Sequence, residues 1–325
     1  MSNPKVTIII VTWNSIKYLP DCLKSIFEQT FRDFSVIIID NGSIDDTVNY
    51  IKKNYPQIFI KENQENIGFA KANNQGISLA NSEYALLCNQ DIILEKDFLE
   101  KALQTIKSDQ KIASVGGKLL KIQDLPVSKK PDIIDSCGIK ASKSHYFKEI
   151  GANKKDQGQY NKLNEVFGIS GALVLFKKQA LEQIKFQEEY FDENYFSYKE
   201  DIDLAWRLRL AGYKSICNPN AVAYHVRSIS KLTGRKIRPV SINQLSYKNH
   251  LLTIIKNQTL LNLVIYFPFI LFFEIKKIIY ILLLEQSTLI SLLEYFKQIP
   301  SALKKRKFIM LNKKVSSKEI RKWFK

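Results

Sequence analysis

A chain of 325 residues, 45% of them apolar, is long enough for one large α/β domain with an appendage and can bury a core, which excludes disordered and fibrous classes. Its four cysteines, Cys22, Cys88, Cys137 and Cys217, are too widely spaced for a Cys-x-x-Cys metal or redox motif or a dense disulfide framework, so the chain reads as cytosolic and reduced. The net charge of +17 is uneven: residues 1–226 carry 29 Lys and Arg against 28 Asp and Glu, whereas residues 227–325 carry 20 against 4.

The opening MSNPKVTIIIVTWN runs directly into a strand-like segment, without the basic and apolar regions of an export signal. Lys5–Thr12 and Phe34–Asp40 are short, β-branched and almost continuously apolar, as suits strands buried on both faces of a parallel sheet. Between them Leu19, Leu23, Ile26 and Phe27 recur at helical spacing, completing a βαβ unit. The pattern continues with a helix from about Asp45, a strand near Ile58–Lys61, a helix across Phe69–Leu79 and a strand at Tyr84–Cys88. Such alternation predicts an open, mostly parallel α/β sheet flanked by helices.

In sheets of this kind ligands collect beyond the carboxyl ends of the strands. Asp40, followed by the turn Asn41-Gly42-Ser43, and Asp91, in Asn89-Gln90-Asp91, stand there. Asp45 and Asp46 read as helix-start residues. The stretch from about Lys121 to Glu165 is polar and weakly periodic, and is expected to form loops and short strands toward an acceptor. Val166–Phe176 is a strand-like run broken by Gly168 and Gly171. In Phe191–Tyr213 an acidic, aromatic loop leads through Glu200 and Asp201 into a helix that Gly212 is placed to stop. Each acidic residue alone has a structural explanation, but Asp40, Asp91 and the Glu200-Asp201 pair all fall at one sheet edge, which can hold a nucleotide diphosphate, a metal ion and a base.

The segments Val6–Asn14, Ile37–Thr47, Glu65–Ile77, Leu86–Ile92, Gly168–Leu181 and Tyr190–Lys214, together with His225 and Ser246–Leu252, resemble the family 2 glycosyltransferases of GT-A fold, and within them a rhamnosyltransferase-like branch. The resemblance covers roughly residues 5–256. It implies that Asp40 accepts a hydrogen bond from the base of a nucleotide-sugar donor, with Thr12 and Asn14 lining the pocket or simply ending a buried strand. It further implies that Asn66, Gly68 and Asn73 pack beside the donor. Asn89-Gln90-Asp91 takes the place of the family's metal-binding Asp-x-Asp, leaving Asp91 as the strong ligand and His225 as a further one. A divalent cation, Mg²⁺ or Mn²⁺, is therefore implied, weakened by Asn89 in place of the first Asp. Asp201 matches the general base of an inverting displacement, with Glu200 as the alternative. Tyr195, Phe196 and Tyr198 either stack on sugar or pack beneath the loop. A nucleotidyltransferase would need a glycine- and basic-rich triphosphate loop after the first strand, and Thr12-Trp13-Asn14-Ser15 is not one. An inactive membrane-associated scaffold is the remaining alternative.

The basic last third also holds the most apolar stretch of the chain, Leu260–Leu284. Its uninterrupted part, Leu260–Phe273, spans about 21 Å as a helix, short of the roughly 30 Å of a bilayer core. Glu274, Lys276 and Lys277 in a longer span would each cost about 2.5–3.5 kcal/mol. A re-entrant or in-plane helical pair, followed by the basic clusters Lys304–Lys307, Lys313-Lys314 and Arg321-Lys322, fits monotopic attachment to an anionic membrane surface better than nucleic acid; packing on the protein itself is the other reading. The division expected is a catalytic domain over 1–256 and a helical, membrane-associating region over 257–325. The expected acceptor is a lipid-linked or growing glycan at the cytoplasmic face of the plasma membrane, with homo-oligomerisation possible.

Overall fold

The computed structural model describes residues 3–122, 131–226 and 240–325. The first half alternates as expected: β1 (Val6–Thr12), α1 (Leu19–Phe27), β2 (Phe34–Asp40), α2 (Thr47–Asn54), β3 (Phe59–Glu62), α3 (Phe69–Leu79) and β4 (Tyr84–Cys88). Then follow β5 (Ile92–Leu94), α4 (Phe98–Lys107), β6 (Ile112–Ile122), β7 (Ile134–Ser136), β8 (Ile139–Ala141), β9 (Phe147–Glu149), β10 (Asn164–Val166), β11 (Leu173–Lys177) and α5 (Lys178–Ile184). The chain ends with α6 (Glu200–Leu210), β12 (Lys214–Val226), α7 (Val240–Asn257), α8 (Leu260–Leu284), α9 (Ile290–Leu311) and α10 (Ser317–Arg321).

The main sheet runs in the order β10-β12-β6-β11-β4-β1-β2-β3. From β4 to β3 every pairing is parallel, β12 is parallel to β6, and β11 enters antiparallel between β4 and β6. Side chains on β1 alternate between the two faces, as the pleat requires. Val6, Ile8 and Ile10 join Leu23, Phe98 and Leu103 from α1 and α4, while Ile9 meets Ile77, Leu181 and Leu208 from α3, α5 and α6. Helices on both faces explain why the strands read as continuous hydrocarbon. The broken run at Val166–Phe176 is two strands, β10 and β11. A Cβ on Gly168 would lie 2.4 Å from that of Ala205, so the break is also where the strand crosses closest to α6.

The helices after residue 257 share a core with those before it. Trp206, Phe167 and Leu210 pack with Tyr266 and Ile270 of α8, Ile309 of α9, Ile320 of α10 and Phe324. His145 is fully buried in this ring cluster, stacked on Trp206, and burial with His250 nearby lowers its pKa to about 3. A buried ion network adds to it: Lys256 pairs with Asp192 and, at 2.9 Å, with Asp203, and Lys305 reaches Asp192 and Glu189 at 2.6 Å each. Burial opposes the charge of Asp192, but the two lysines outweigh it and hold its carboxyl well below the usual range. α8 runs unbroken through Pro268 and leaves most of its apolar side chains exposed. Among the described residues no helix is long and apolar enough to cross a membrane.

Candidate active site

The carboxyl ends of β1 and β2 are tied to each other before any ligand is considered. Asp40 is buried; its Oδ1 accepts from Thr12 Oγ1 at 2.8 Å and from Ser43 Oγ at 2.5 Å, and its Oδ2 accepts from the Ser43 amide at 2.8 Å. A carboxylate offers about four lone-pair sites, so one remains for an incoming donor. Asn14, exposed and with φ of 51°, donates its amide to Ser43 Oγ and accepts from the Ile44 amide, cross-linking the two loops. Asp45 accepts from the amide and hydroxyl of Thr47, the helix-start role expected of it.

Asn66 accepts from the Gly68 amide at 3.0 Å and so shapes the entrance to α3. Gly68 has φ of +88°, and a Cβ there would meet the ring of Phe196 at 2.6 Å and its carbonyl oxygen at 2.8 Å. Only glycine permits both. Asn73 is buried and donates back to the Phe69 carbonyl within α3.

Beyond β4 the residues converge. A cavity of about 410 Å³ is lined by Asn89, Gly171, Glu200, Asp201 and His225 among others. Glu200 and Asp201 open α6, where the helix N-terminus favours negative charge. Asp201 Oδ2 accepts from the Gly171 amide at 3.1 Å and Oδ1 from its neighbour Ile202 at 2.8 Å. Burial raises the Asp201 carboxyl against these amides. Glu200, also buried, has one carboxyl oxygen without a hydrogen-bond partner, and burial with the adjacent Asp201 charge pushes it up to about 8.

His225, on β12, connects two carboxylates. Its Nδ1 lies 2.8 Å from Asp135 Oδ2 and its Nε2 3.4 Å from Asp91 Oδ1, an oxygen buried without a hydrogen bond. Burial disfavours the imidazolium, but the two carboxylates outweigh it and lift the ring to about 9. Once a cation displaces the proton from Nε2, a histidine with its other nitrogen held by a carboxylate, facing an orphaned carboxylate oxygen, is a donor set that fits a divalent cation. Among the described residues no three or more His, Cys, Asp or Glu side chains gather into a closed metal site. The remaining ligands would have to be phosphate oxygens and water, as suits Mg²⁺ or Mn²⁺ held with a nucleotide.

Two acidic residues in the weakly periodic stretch also belong here. Asp135 orients His225, and Glu149 lines the cavity, hydrogen-bonded to Ser136. Burial and the charges of Asp201 and Asp135 push Glu149 up to about 7. Asn249, on α7, is fully buried and donates its amide nitrogen toward the carbonyls of Tyr195, Ser197 and Tyr198, at 2.9, 2.9 and 2.7 Å. These carbonyls belong to the loop entering α6, in which Phe196, Tyr198 and Lys199 all have positive φ.

Comparison with known proteins places this arrangement. A poly-β-1,6-N-acetyl-D-glucosamine synthase of Staphylococcus aureus (strain COL) is 30% identical over 224 residues, 67% of this chain and 49% of that protein. The synthase of the same description from Staphylococcus epidermidis is 27% identical over 240 residues, 72% and 53% of the two chains. The chain thus spans about half the length of the curated relatives it matches. GalNAc-T7, solved with UDP, GalNAc and Mn²⁺, superposes with a TM-score of 0.61 at 14% identity, over 78% of this chain and 48% of that one. Staphylococcus aureus TarS 1–349 in complex with UDP gives 0.52 at 16% identity, over 78% and 67%. These two share the fold, which is GT-A. The model of glycosyl transferase family 2 matches residues 7–185, more than half of the sequence, and the chain belongs to that family.

Proposed function

We propose that this chain is an inverting glycosyltransferase that moves a sugar from a nucleoside diphosphate donor onto a lipid-linked or growing cell-surface polysaccharide. The observation that carries the reading is the convergence of Asn89, His225, Glu200 and Asp201 on one cavity, with Asp91 beside His225. The names of the relatives, synthases of an N-acetyl-D-glucosamine polymer, and UDP in the TarS structure support a nucleotide-sugar donor. Mn²⁺ in the GalNAc-T7 structure supports a divalent cation. The motif likeness points to rhamnose as the sugar.

Asp40, between Thr12 and Asn14, takes the nucleotide base with its remaining acceptor site. Asn66 and Gly68 set the backbone beside the donor, and Asn73 stiffens α3 behind them. Asp91 and His225 would hold the cation, which when bound would neutralise charge on the departing diphosphate. Of the acidic pair, Asp201 is the one whose charged form is favoured by the Gly171 and Ile202 amides, whereas Glu200, buried beside the Asp201 charge with one oxygen unpartnered, is pushed up to about 8 and holds the proton at neutral pH. Asp201 therefore accepts the proton of the acceptor hydroxyl as its oxygen bonds to the anomeric carbon. The bond from that carbon to the diphosphate oxygen breaks on the opposite face, which inverts the centre. Residues 1–256 carry this chemistry. Residues 257–325 cover α6 and present the exposed face of α8 to the cytoplasmic leaflet of the plasma membrane.

The test is release of nucleoside diphosphate from a panel including dTDP-rhamnose and UDP-N-acetylglucosamine, with membrane extract as acceptor source, in Mg²⁺ or Mn²⁺ and then with chelator. One donor is expected to turn over, with loss of activity on chelation. Asp201→Asn should remove turnover by about a thousandfold or more, within the range of losing a general base and the charge at the reacting centre, while retaining nucleotide binding. Turnover in the Asn variant would exclude Asp201 as the base.

A further inference from the structure

The cavity that holds the acidic pair continues away from β1 and β2 into two others. It shares Phe147, Lys148, Glu149, Lys199 and Ser246 with a cavity of about 560 Å³ that reaches Phe273 and Lys277 of α8. That one shares Tyr146, Lys148 and Phe273 with a third, of about 780 Å³, walled by Ile139, Ala141, Ile150, Val166, Phe167 and Trp323. The chemistry changes along this line. Glu200 and Asp201 stand at one end, and Asp135 and Glu149 extend the acidic lining into the middle cavity. In the middle, Lys148 and Lys277 line the cavity and lie over the rings of Tyr146 and Tyr280, at 5.1 and 5.0 Å. At the far end hydrocarbon and aromatic side chains make up much of the wall, with Lys140, Glu165 and Lys325 also lining it, and Tyr146 and Phe273 are in contact, ring centres 5.4 Å apart, where the last two cavities meet.

We infer that the three cavities form one acceptor channel for a sugar joined through phosphate or pyrophosphate to a polyisoprenoid-like lipid. The sugar hydroxyl meets the acidic pair, Lys148 and Lys277 take the phosphate, and the first part of the hydrocarbon lies against Tyr146, Phe273 and the apolar wall. This rests on the glycosyltransferase reading and narrows its acceptor. With the donor's phosphates assigned to Asp91 and His225, the ammonium groups of Lys148 and Lys277, which line the cavity leading on to α8, serve the second substrate. A neutral soluble glycan needs neither ammonium groups nor a hydrocarbon wall, and a free phosphate needs no wall. The channel ends beside α8, whose exposed apolar side chains continue the path a lipid tail would follow.

The probe is farnesyl diphosphate, titrated calorimetrically into the full chain below its micelle concentration, beside inorganic pyrophosphate and farnesol. It should bind at least about tenfold tighter than either part alone, since charge and hydrocarbon contribute together. Lys148→Glu with Lys277→Glu should weaken it at least about tenfold by turning attraction into repulsion, with UDP and dTDP affinities kept as the measure of an intact fold. Tyr146→Ser, at a half-exposed ring, is the second variant and should weaken farnesyl diphosphate but not pyrophosphate. Equal affinity for farnesyl diphosphate and pyrophosphate overturns the hydrocarbon part, and equal affinity for farnesyl diphosphate and farnesol overturns the phosphate part. Undiminished binding in the lysine variant overturns the site. No step needs turnover: lost transfer with intact probe binding strikes the activity, and intact transfer without probe binding strikes the channel.

Discussion

Glu149 shows what the chemistry of a single residue demands of its surroundings. Its carboxyl is pushed up to about 7, first by burial and then by Asp201 and Asp135, despite the hydrogen bond to Ser136. In the unfolded chain it titrates near the ordinary value of 4.5. Between those values the unfolded state loses its proton first, so stability falls as pH rises from about 4.5 to about 7 and changes little from this group beyond. Glu149→Gln removes that loss. It should leave the melting temperature at pH 4.5 nearly unchanged and raise it at pH 8, the stability there increasing by on the order of 1–3 kcal/mol. A thermal scan at the two pH values checks this, and an equal shift at both would mean that packing rather than charge is responsible. The sequence made Asp40, Asp91 and Asp201 legible because each sits in a local pattern that marks a strand end or helix start. Asp135 and Glu149 had no such signal. They lie on strands of three residues, too short for periodicity, and are brought to the site by the pairing of β7 with β6 and by the bridge from Ile139 to Gly168 that ties down the local β8–β9 hairpin.

At the scale of elements, the loop before α6 is the part most dependent on a distant partner. Three non-glycine residues with positive φ are unfavourable, and they persist because the loop is held from two sides. The Ala70 amide donates to the Phe196 carbonyl at 3.0 Å, and Asn249 gathers three carbonyls from α7. Asn249→Ala removes the donor shared by these three carbonyls, of which that of Tyr195 also accepts from the Ser197 amide in the loop, a cost of about 1–3 kcal/mol, and frees the loop that sets the position of Glu200 and Asp201. If part of that cost appears in the reaction geometry, kcat falls by about ten- to a hundredfold while nucleotide affinity, read by calorimetry, is unchanged. Asn249→Asp, which replaces the donor by an acceptor in the same shape, should do at least as much harm. A parallel loss of nucleotide affinity would show that the residue serves the whole fold. Buried strands β1, β2 and β4 were readable as apolar runs, but β6 and β12 were not. Gly116-Gly117 interrupts the first and Asn218-Pro219-Asn220 the second, at a register shift where a Cβ on Gly117 would strike the Ala221 carbonyl. Close backbone crossing, rather than side-chain pattern, sets those residues.

Over the whole molecule, the charge and hydrocarbon of the last third divide between two surfaces. One face is internal: Ile309, Ile320 and Phe324 close the cluster around Trp206, and Lys305 joins Lys256 against Asp192. The other is the outer side of α8, where Val264 and Leu283 are 73% and 72% exposed. Removing everything after Asn257 would delete both at once, opening a core and leaving Asp192 with Lys256 alone, so a truncated chain would sediment for reasons unrelated to membranes. Substitution on the outer face separates the two. Val264→Glu with Leu283→Glu touches no buried contact and should leave the melting temperature unchanged. Each large apolar side chain entering the interface contributes about 1.5–3 kcal/mol, and two new anions oppose the lipid charge, so co-sedimentation with phosphatidylglycerol vesicles should fall by more than about tenfold. Raising salt should weaken the parent chain's binding without abolishing it, because the lysine contribution is screened and the hydrocarbon contribution is not. Undiminished sedimentation of the double variant at unchanged stability would remove α8 as the membrane contact, and with it the route by which a lipid-borne acceptor reaches Lys148 and Lys277.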